Sequence, residues 1–139
     1  MNVDAISNGI VIDHIKTGFA FRLFDLLNLD CLDCPVAIIK NVNSKKMGKK
    51  DIIKIDSDTP INLDVVGFVA PDATINIIKD GVLVEKFAIS MPDKLVNVIK
   101  CKNPRCISAV EQELDQVFTL TDKDNKVYRC LYCETKAGL

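Results

Sequence analysis

Apolar positions along this chain recur with two periods, and the switches between them lay out its elements. Gly9-Ile10-Val11-Ile12-Asp13-His14-Ile15 is a β-branched run that reads as a buried strand delivering Asp13 and His14 near its carboxyl end. Phe19, Leu23, Leu26 and Leu27 then fall at helical spacing, which predicts a helix within residues 18–29. Residues 35–42 form a second predicted strand. Asn43-Ser44 opens a basic turn, and residues 49–56 form a third strand in which Ile53 and Ile55 alternate with Ile52, Lys54 and Asp56. Thr59 as N-cap and Pro60 at the first helical position predict a short apolar helix over residues 61–69, ended by Pro71-Asp72. Residues 73–78 and 82–87 read as a hairpin around Lys79-Asp80-Gly81, whose Asp-Gly pair is a strong turn signal.

The order is β-α-β-β-α-β with one strand added. It predicts an α+β fold: a ferredoxin-like antiparallel sheet with two helices on one face and the other face open to a ligand or partner. Ser90-Met91-Pro92-Asp93 interrupts the pattern, so a domain over residues 1–92 is expected, followed by one over residues 93–139. In the second, residues 95–99, 117–120 and 126–129 read as strands, the last two joined by Asp122-Lys123-Asp124-Asn125. That part is expected to be a small all-β zinc-binding domain.

Zinc enters because of the cysteines. Cys101-Lys102-Asn103-Pro104-Arg105-Cys106 is followed, after 23 residues, by Cys130-Leu131-Tyr132-Cys133, and two close pairs supply the four corners of a structural Zn²⁺ site. Four thiolates around a dication carry a local charge of about −2, which Lys100, Lys102, Arg105 and Arg129 offset. Two disulfides or unrelated free thiols are the alternatives. The last third of the chain is too short to hold a core of its own, so one zinc per chain is expected to act as folding energy, with no coordination position left for catalysis. A further pair, Cys31-Leu32-Asp33-Cys34, has redox-type spacing but follows a predicted helix rather than opening one, where a dipole would lower the thiol pKa.

Composition narrows the function. With net charge −1, no Trp and 6% aromatic residues, the chain has neither a basic field nor a stacking platform for nucleic acid. No apolar run approaches the length of a membrane span. Met1-Asn2-Val3-Asp4-Ala5 lacks the basic start of a secretory signal, so a cytoplasmic location is expected, where metal is favoured over disulfides.

Two groups of polar residues suit a polyphosphate ligand. Lys45, Lys46, Lys49, Lys50 and Lys54 crowd one hairpin, and Lys86 lies on another strand of the same sheet. The plain reading is a solvated hairpin tip. Asn76 stands between Ile75 and Ile77 and faces away from them, as a base or sugar contact would, with simple exposure as the alternative. His14 beside Asp13 suits a hydrogen-bonding role better than catalysis, because no nucleophile accompanies the single His.

Four stretches carry a family resemblance: Val11-Ile12-Asp13-His14-Ile15, the block from Met47 to Ile55, Ala70-Pro71-Asp72-Ala73-Thr74-Ile75-Asn76, and the cysteine frame with Cys106-Ile107-Ser108 and Tyr132-Cys133-Glu134. They resemble the regulatory chain of aspartate carbamoyltransferase, end to end and in order. The resemblance implies a non-catalytic subunit of pyrimidine biosynthesis in which CTP and ATP compete for one allosteric site. The family's pattern for that site falls on Asp4, Ala5, Ile6, Asp13, His14, Lys50, Lys54, Asn76, Ile78, Leu83 and Lys86. It also implies a regulatory-chain homodimer through the first domain and a catalytic chain gripped by the second, for which Asn103, Arg105, Tyr132 and Glu134 are the expected contacts. Asp4, where the family can carry Glu, and Gly81, where a bulkier residue can sit, depart from the pattern. The rival class is a zinc-ribbon nucleic-acid-binding or transcription accessory protein. A two-residue turn at Asp80-Gly81 would put Lys86 and Asn76 on opposite faces, so a three-residue Lys79-Asp80-Gly81 loop with a Gly bulge is expected.

Overall fold

A computed structural model describes residues 6–138. The chain divides into two units, Met1–Ser90 and Met91–Leu139, each with its own sheet. No described helix is long and apolar enough to cross a membrane.

In the first unit, β1 (Gly9–Lys16), β2 (Val36–Ser44), β3 (Gly48–Ile55), β4 (Thr74–Lys79) and β5 (Val82–Ala88) form an antiparallel sheet in the order β2-β3-β1-β4-β5. This is the ferredoxin-like arrangement predicted, with β5 added at an edge. Helices α1 (Ala20–Leu26) and α2 (Leu63–Val69) cover one face. Ile12, Ile15, Ile53, Ile55 and Ile75 from the strands meet Ala20, Leu23, Val65, Val66 and Val69 from the helices, and all are buried. Each fully buried Ile or Leu contributes about 1.5–3 kcal/mol, so this layer is the main source of the unit's stability. Gly9 lies where a Cβ would collide with the Ile55 carbonyl oxygen, so only glycine lets β1 approach β3 there.

Two of the bulges that interrupt the alternation face the middle of β3. In β1, Asp13 and His14 together oppose Ile52, with His14 at φ 58°, so that Ile12 and Ile15 both point into the core. In β2, Lys40 and Asn41 together oppose Asp51, with Asn41 also at φ 58°. The carboxylate of Asp51 is fully buried and accepts the N–H groups of Asn41 and Gly18, each at 3.1 Å. It thereby satisfies one donor freed by the β2 bulge and another at the approach to α1.

Several element boundaries differ from expectation. Helix α1 ends at Leu26 because Asn28 turns left-handed, and a single 3-10 turn over Leu29–Cys31 follows. Helix α2 starts at Leu63, with Asn62 rather than Thr59 as N-cap: Asn62 Oδ1 accepts the Asp64 N–H at 3.0 Å. The Thr59 hydroxyl instead pairs with Ser57 at 2.7 Å in a local turn.

In the second unit β6 (Lys94–Val96), β7 (Val117–Asp122) and β8 (Val127–Cys130) form an antiparallel sheet, with a one-turn helix α3 (Ile107–Val110) after the second cysteine. Besides Cys106, Ser108 and Cys130, the buried side chains described there are Leu95, Ile99, Val117, Phe118 and Tyr128, a far smaller set of large apolar groups than in the first unit. Strand β6 is shorter than predicted because Asn97, at φ 56°, leaves the strand and ties its side chain to the Gln116 N–H and to Asp115.

Candidate functional site: an open-face groove and a four-cysteine centre

The face of the first sheet opposite the helices carries a groove of about 400 Å³. Its floor follows from strand register. Val11 pairs with Lys54 on one side and with Asn76 on the other, and Asn76 pairs with Lys86, so Lys54, Val11, Asn76 and Lys86 form one row across four strands. Strands lie about 4.8 Å apart, which puts the two lysine backbones about 14 Å apart, with Asn76 between them. Their long side chains both reach the groove.

Lys86 joins this row by a route other than the one expected. Asp80 and Gly81, at φ 52° and 76°, make a two-residue turn between the paired Lys79 and Val82. The extra residue is Val84, inside β5, where Leu83 pairs with Ile78 and Glu85 with Ile77. This bulge restores the parity that the tight turn would have inverted. The turn itself is held by Ser7 and Asn8, which accept the N–H groups of Gly81 at 2.9 Å and Asp80 at 3.1 Å.

Ile6, Asp13, Lys54, Asn76, Ile78, Leu83 and Lys86 all line the groove, together with Val11, Ile52 and Gly81. Asp4 and Ala5 lie outside the described residues. Lys50 is set back: its ammonium pairs with Asp13 at 2.9 Å, both groups being mostly buried. Burial raises the Asp13 pKa, but Lys50 and the His14 N–H together outweigh it and hold the carboxyl below its ordinary value. His14 is turned aside by the bulge, with Nδ1 2.9 Å from the Thr74 hydroxyl, and is not among the lining residues. The Oδ1 atom of Asn76 is buried without a hydrogen-bond partner, an arrangement that costs about 1–3 kcal/mol unless a ligand donor completes it. Val11 and Ile52 were legible as lining residues, since each lies two positions before a predicted one, Asp13 and Lys54, on the same face. Lys49 bonds Asn43, and Lys45 and Lys46 are exposed at the hairpin tip.

In the second unit the Sγ atoms of Cys101, Cys106, Cys130 and Cys133 all lie within 4.8 Å of one another. Cys101 and Cys133 approach to 3.5 Å and Cys106 and Cys130 to 3.6 Å, so each close contact joins one knuckle to the other. These separations far exceed the ~2.05 Å of a disulfide and approach the ~3.8 Å edge of a tetrahedron with Zn–S bonds of ~2.3 Å. The donor set fits one structural zinc. Burial, followed by crowding from Cys133 and Cys130, pushes the Cys101 thiol up to about 12. The Thr135 hydroxyl and amide bring Cys133 down to about 6, and the Ser108 hydroxyl, 3.0 Å from the sulfur, lowers Cys106. A bound dication supplies the charge that makes the remaining thiolates affordable. By contrast Cys31 is exposed, Cys34 half-buried, and neither belongs to the cluster.

Of the expected partner contacts, Arg105, Tyr132 and Glu134 are exposed beside the cysteines. Asn103 is half-buried and caps its own loop, its side chain accepting the Arg105 N–H at 3.0 Å. Around them Ile107, Val110 and Leu131 are also more than half exposed. Sequence reasoning passed over these three, although Ile107 and Leu131 each directly follow a ligand cysteine.

One unit carries a sheet with a cation-lined groove, and the other a four-cysteine centre whose donors leave no coordination position open, the features of a ligand-binding domain and a structural metal domain. Residues 1–90 match the allosteric domain of the aspartate carbamoyltransferase regulatory chain, and residues 93–138 match that chain's metal-binding domain. The regulatory chain from Clostridium tetani is 46% identical over 135 residues, covering 96% of this chain and 94% of its own length. That from Bifidobacterium longum is 42% identical over 139 residues and all of both chains. The chain belongs to the aspartate carbamoyltransferase regulatory chain family, and is non-catalytic. The nucleic-acid alternative is set aside.

Proposed function

We propose that the groove of the first unit binds CTP and ATP competitively and that the second unit docks on the catalytic chain of aspartate carbamoyltransferase, so that nucleotide binding adjusts that enzyme's activity. The observation that carries this is the row Lys54–Val11–Asn76–Lys86, with two cations flanking an unpartnered buried acceptor. A triphosphate uses the lysines, and a ribose hydroxyl or base amino group supplies the donor that Asn76 lacks. Ile6, Ile78 and Leu83 form the apolar wall for the nucleoside. Asp13 is the remaining charged group at the rim, held in place by Lys50, with His14 behind it. Asp4 and Ala5 complete the set by family pattern.

Residues 1–92 act as the allosteric domain and pair with a second regulatory chain. Residues 93–139 present Asn103, Arg105, Tyr132 and Glu134, with Ile107, Val110 and Leu131 around them, to the catalytic chain in the cytoplasm. The zinc makes these loops rigid, and no step of the reaction passes through it.

Co-purification with the catalytic chain, followed by CTP titration of the assembled enzyme with and without a bisubstrate analogue, tests the proposal. Linkage requires an analogue that shifts the assembly to change CTP affinity by a reciprocal factor. Equal CTP affinity in both titrations would leave a nucleotide site without control, and ATP failing to displace CTP would rule out a shared groove.

A further inference from the structure

The two halves of the metal centre are closed by different means. Between Cys130 and Cys133 only two residues intervene, and the backbone closes the loop itself: the Cys130 carbonyl accepts the Glu134 N–H and the Thr135 carbonyl accepts the Cys130 N–H, each at 2.9 Å. Between Cys101 and Cys106 there are four residues, and an Asn103–Cys106 backbone turn bond of 3.1 Å spans only part of that loop. The Cys101 N–H and the Ser108 carbonyl, on either side of the loop, are both bound by a single side chain. Gln116 Oε1 accepts the Cys101 N–H at 3.0 Å, and Gln116 Nε2 donates to the Ser108 carbonyl at 2.6 Å.

We propose that Gln116 is a positioning residue for the metal, a strut that holds the Cys101–Cys106 half of the site in ligating geometry. Its amide is half-buried, and both ends are used in fixed senses, acceptor to the first cysteine and donor beyond the second. Ser108 extends the effect to a sulfur, since its hydroxyl lies 3.0 Å from Cys106 Sγ. The strut is itself anchored at the start of β7, where Asn97 and Gln116 exchange hydrogen bonds of 2.9 Å and 2.7 Å. The longer first loop has more conformations to lose on closing than the two-residue knuckle, which is why it needs a side chain from outside.

The test uses the full zinc-loaded chain, with zinc transfer to a chromophoric chelator as one readout and the visible spectrum of the Co²⁺-substituted chain as the other. Gln116→Leu removes both bonds at similar size, and zinc release is expected to accelerate about 10- to 100-fold, with loss of tetrahedral Co²⁺ band intensity. Gln116→Glu keeps the acceptor for Cys101 and loses the donor for Ser108, so an intermediate rate is expected. Asn97→Gly tolerates the positive φ and keeps the backbone bond to the Gln116 carbonyl but strips the side-chain anchors of the same strand end; it should lower Tm while accelerating zinc release far less than Gln116→Leu and leaving the Co²⁺ spectrum tetrahedral. Should Gln116→Leu not fold, Gln116→Ser, too short to reach either bond, takes its place. Wild-type release from the variant lacking both bonds overturns the proposal. So does an equal acceleration by Asn97→Gly, which would assign the effect to strand stability alone.

Discussion

The two units fold by different economies. In Met1–Ser90 a continuous layer of isoleucines from three strands packs on two helices, whereas Met91–Leu139 buries few large apolar side chains and gathers four thiols at its centre. The first unit therefore has a core that is complete without a ligand, and the face opposite its helices takes no part in that core. The second is a domain whose ligand is part of its core. On the proposed reading, the nucleotide groove lies on the sheet with the larger core and the docking loops on the unit set by its metal, which gives each task the stiffness it requires.

The strongest way to break this comparison is to remove the metal. Chelation, or Cys130→Ser, should unfold residues 91–138 and abolish binding to the catalytic chain, because structural zinc contributes about 10–16 kcal/mol of apparent free energy. Far-UV dichroism should retain the signal of the first unit, and if that signal vanished as well the units would not be independently stable.

An opposite lesion should act on the first unit alone. Ile53→Ala opens a cavity in the fully buried sheet layer and should cost about 2–5 kcal/mol, read as a lower denaturation midpoint for that unit at unchanged zinc content.

A smaller effect sharpens the account of the groove. Lys86→Ala should weaken CTP and ATP roughly ten- to hundredfold, the equivalent of about 1.5–3 kcal/mol, with the fold intact. Deleting Val84 should leave both affinities close to the parent's, because the strand then pairs without its bulge while Lys86 stays opposite Asn76 on the groove face. Calorimetric titration checks both, and undiminished binding to Lys86→Ala would show that Lys86 does not bind from that row.

The smallest effect is the pH dependence of Asp13. Its folded pKa lies below the unfolded value, so its contribution is present above about pH 4 and is lost as pH falls through the lower folded value. Asp13→Asn should flatten the acid limb of the first unit's stability curve. An identical limb would mean that the Lys50 pair contributes nothing to folding.

By itself the sequence determined the order of the strands and of the first two helices, the buried face of β3 and the four-cysteine frame. These rest on local periodicity and on donor chemistry that spacing alone expresses, so Ile53 and Ile55 read as core before any partner strand was known. The groove residues were named largely through family pattern, and Asp4 and Ala5 remain outside the described part of the chain. Tertiary structure decided the rest. Asn62 became the N-cap while Thr59 went to a local turn, and β6 stopped at Val96 because Asn97 turned toward Gln116. The three bulges of the first unit carried no periodic signal: His14 and Asn41 are residues that tolerate a left-handed backbone, but Val84 is not marked in any way. A bulge arises when two strands must each keep their apolar faces inward across a register that does not otherwise match, and that mismatch exists only between strands distant in sequence. The same register brought Lys54, Asn76 and Lys86 into one row, so the groove is a property of the assembled sheet, which no single stretch of the chain contains.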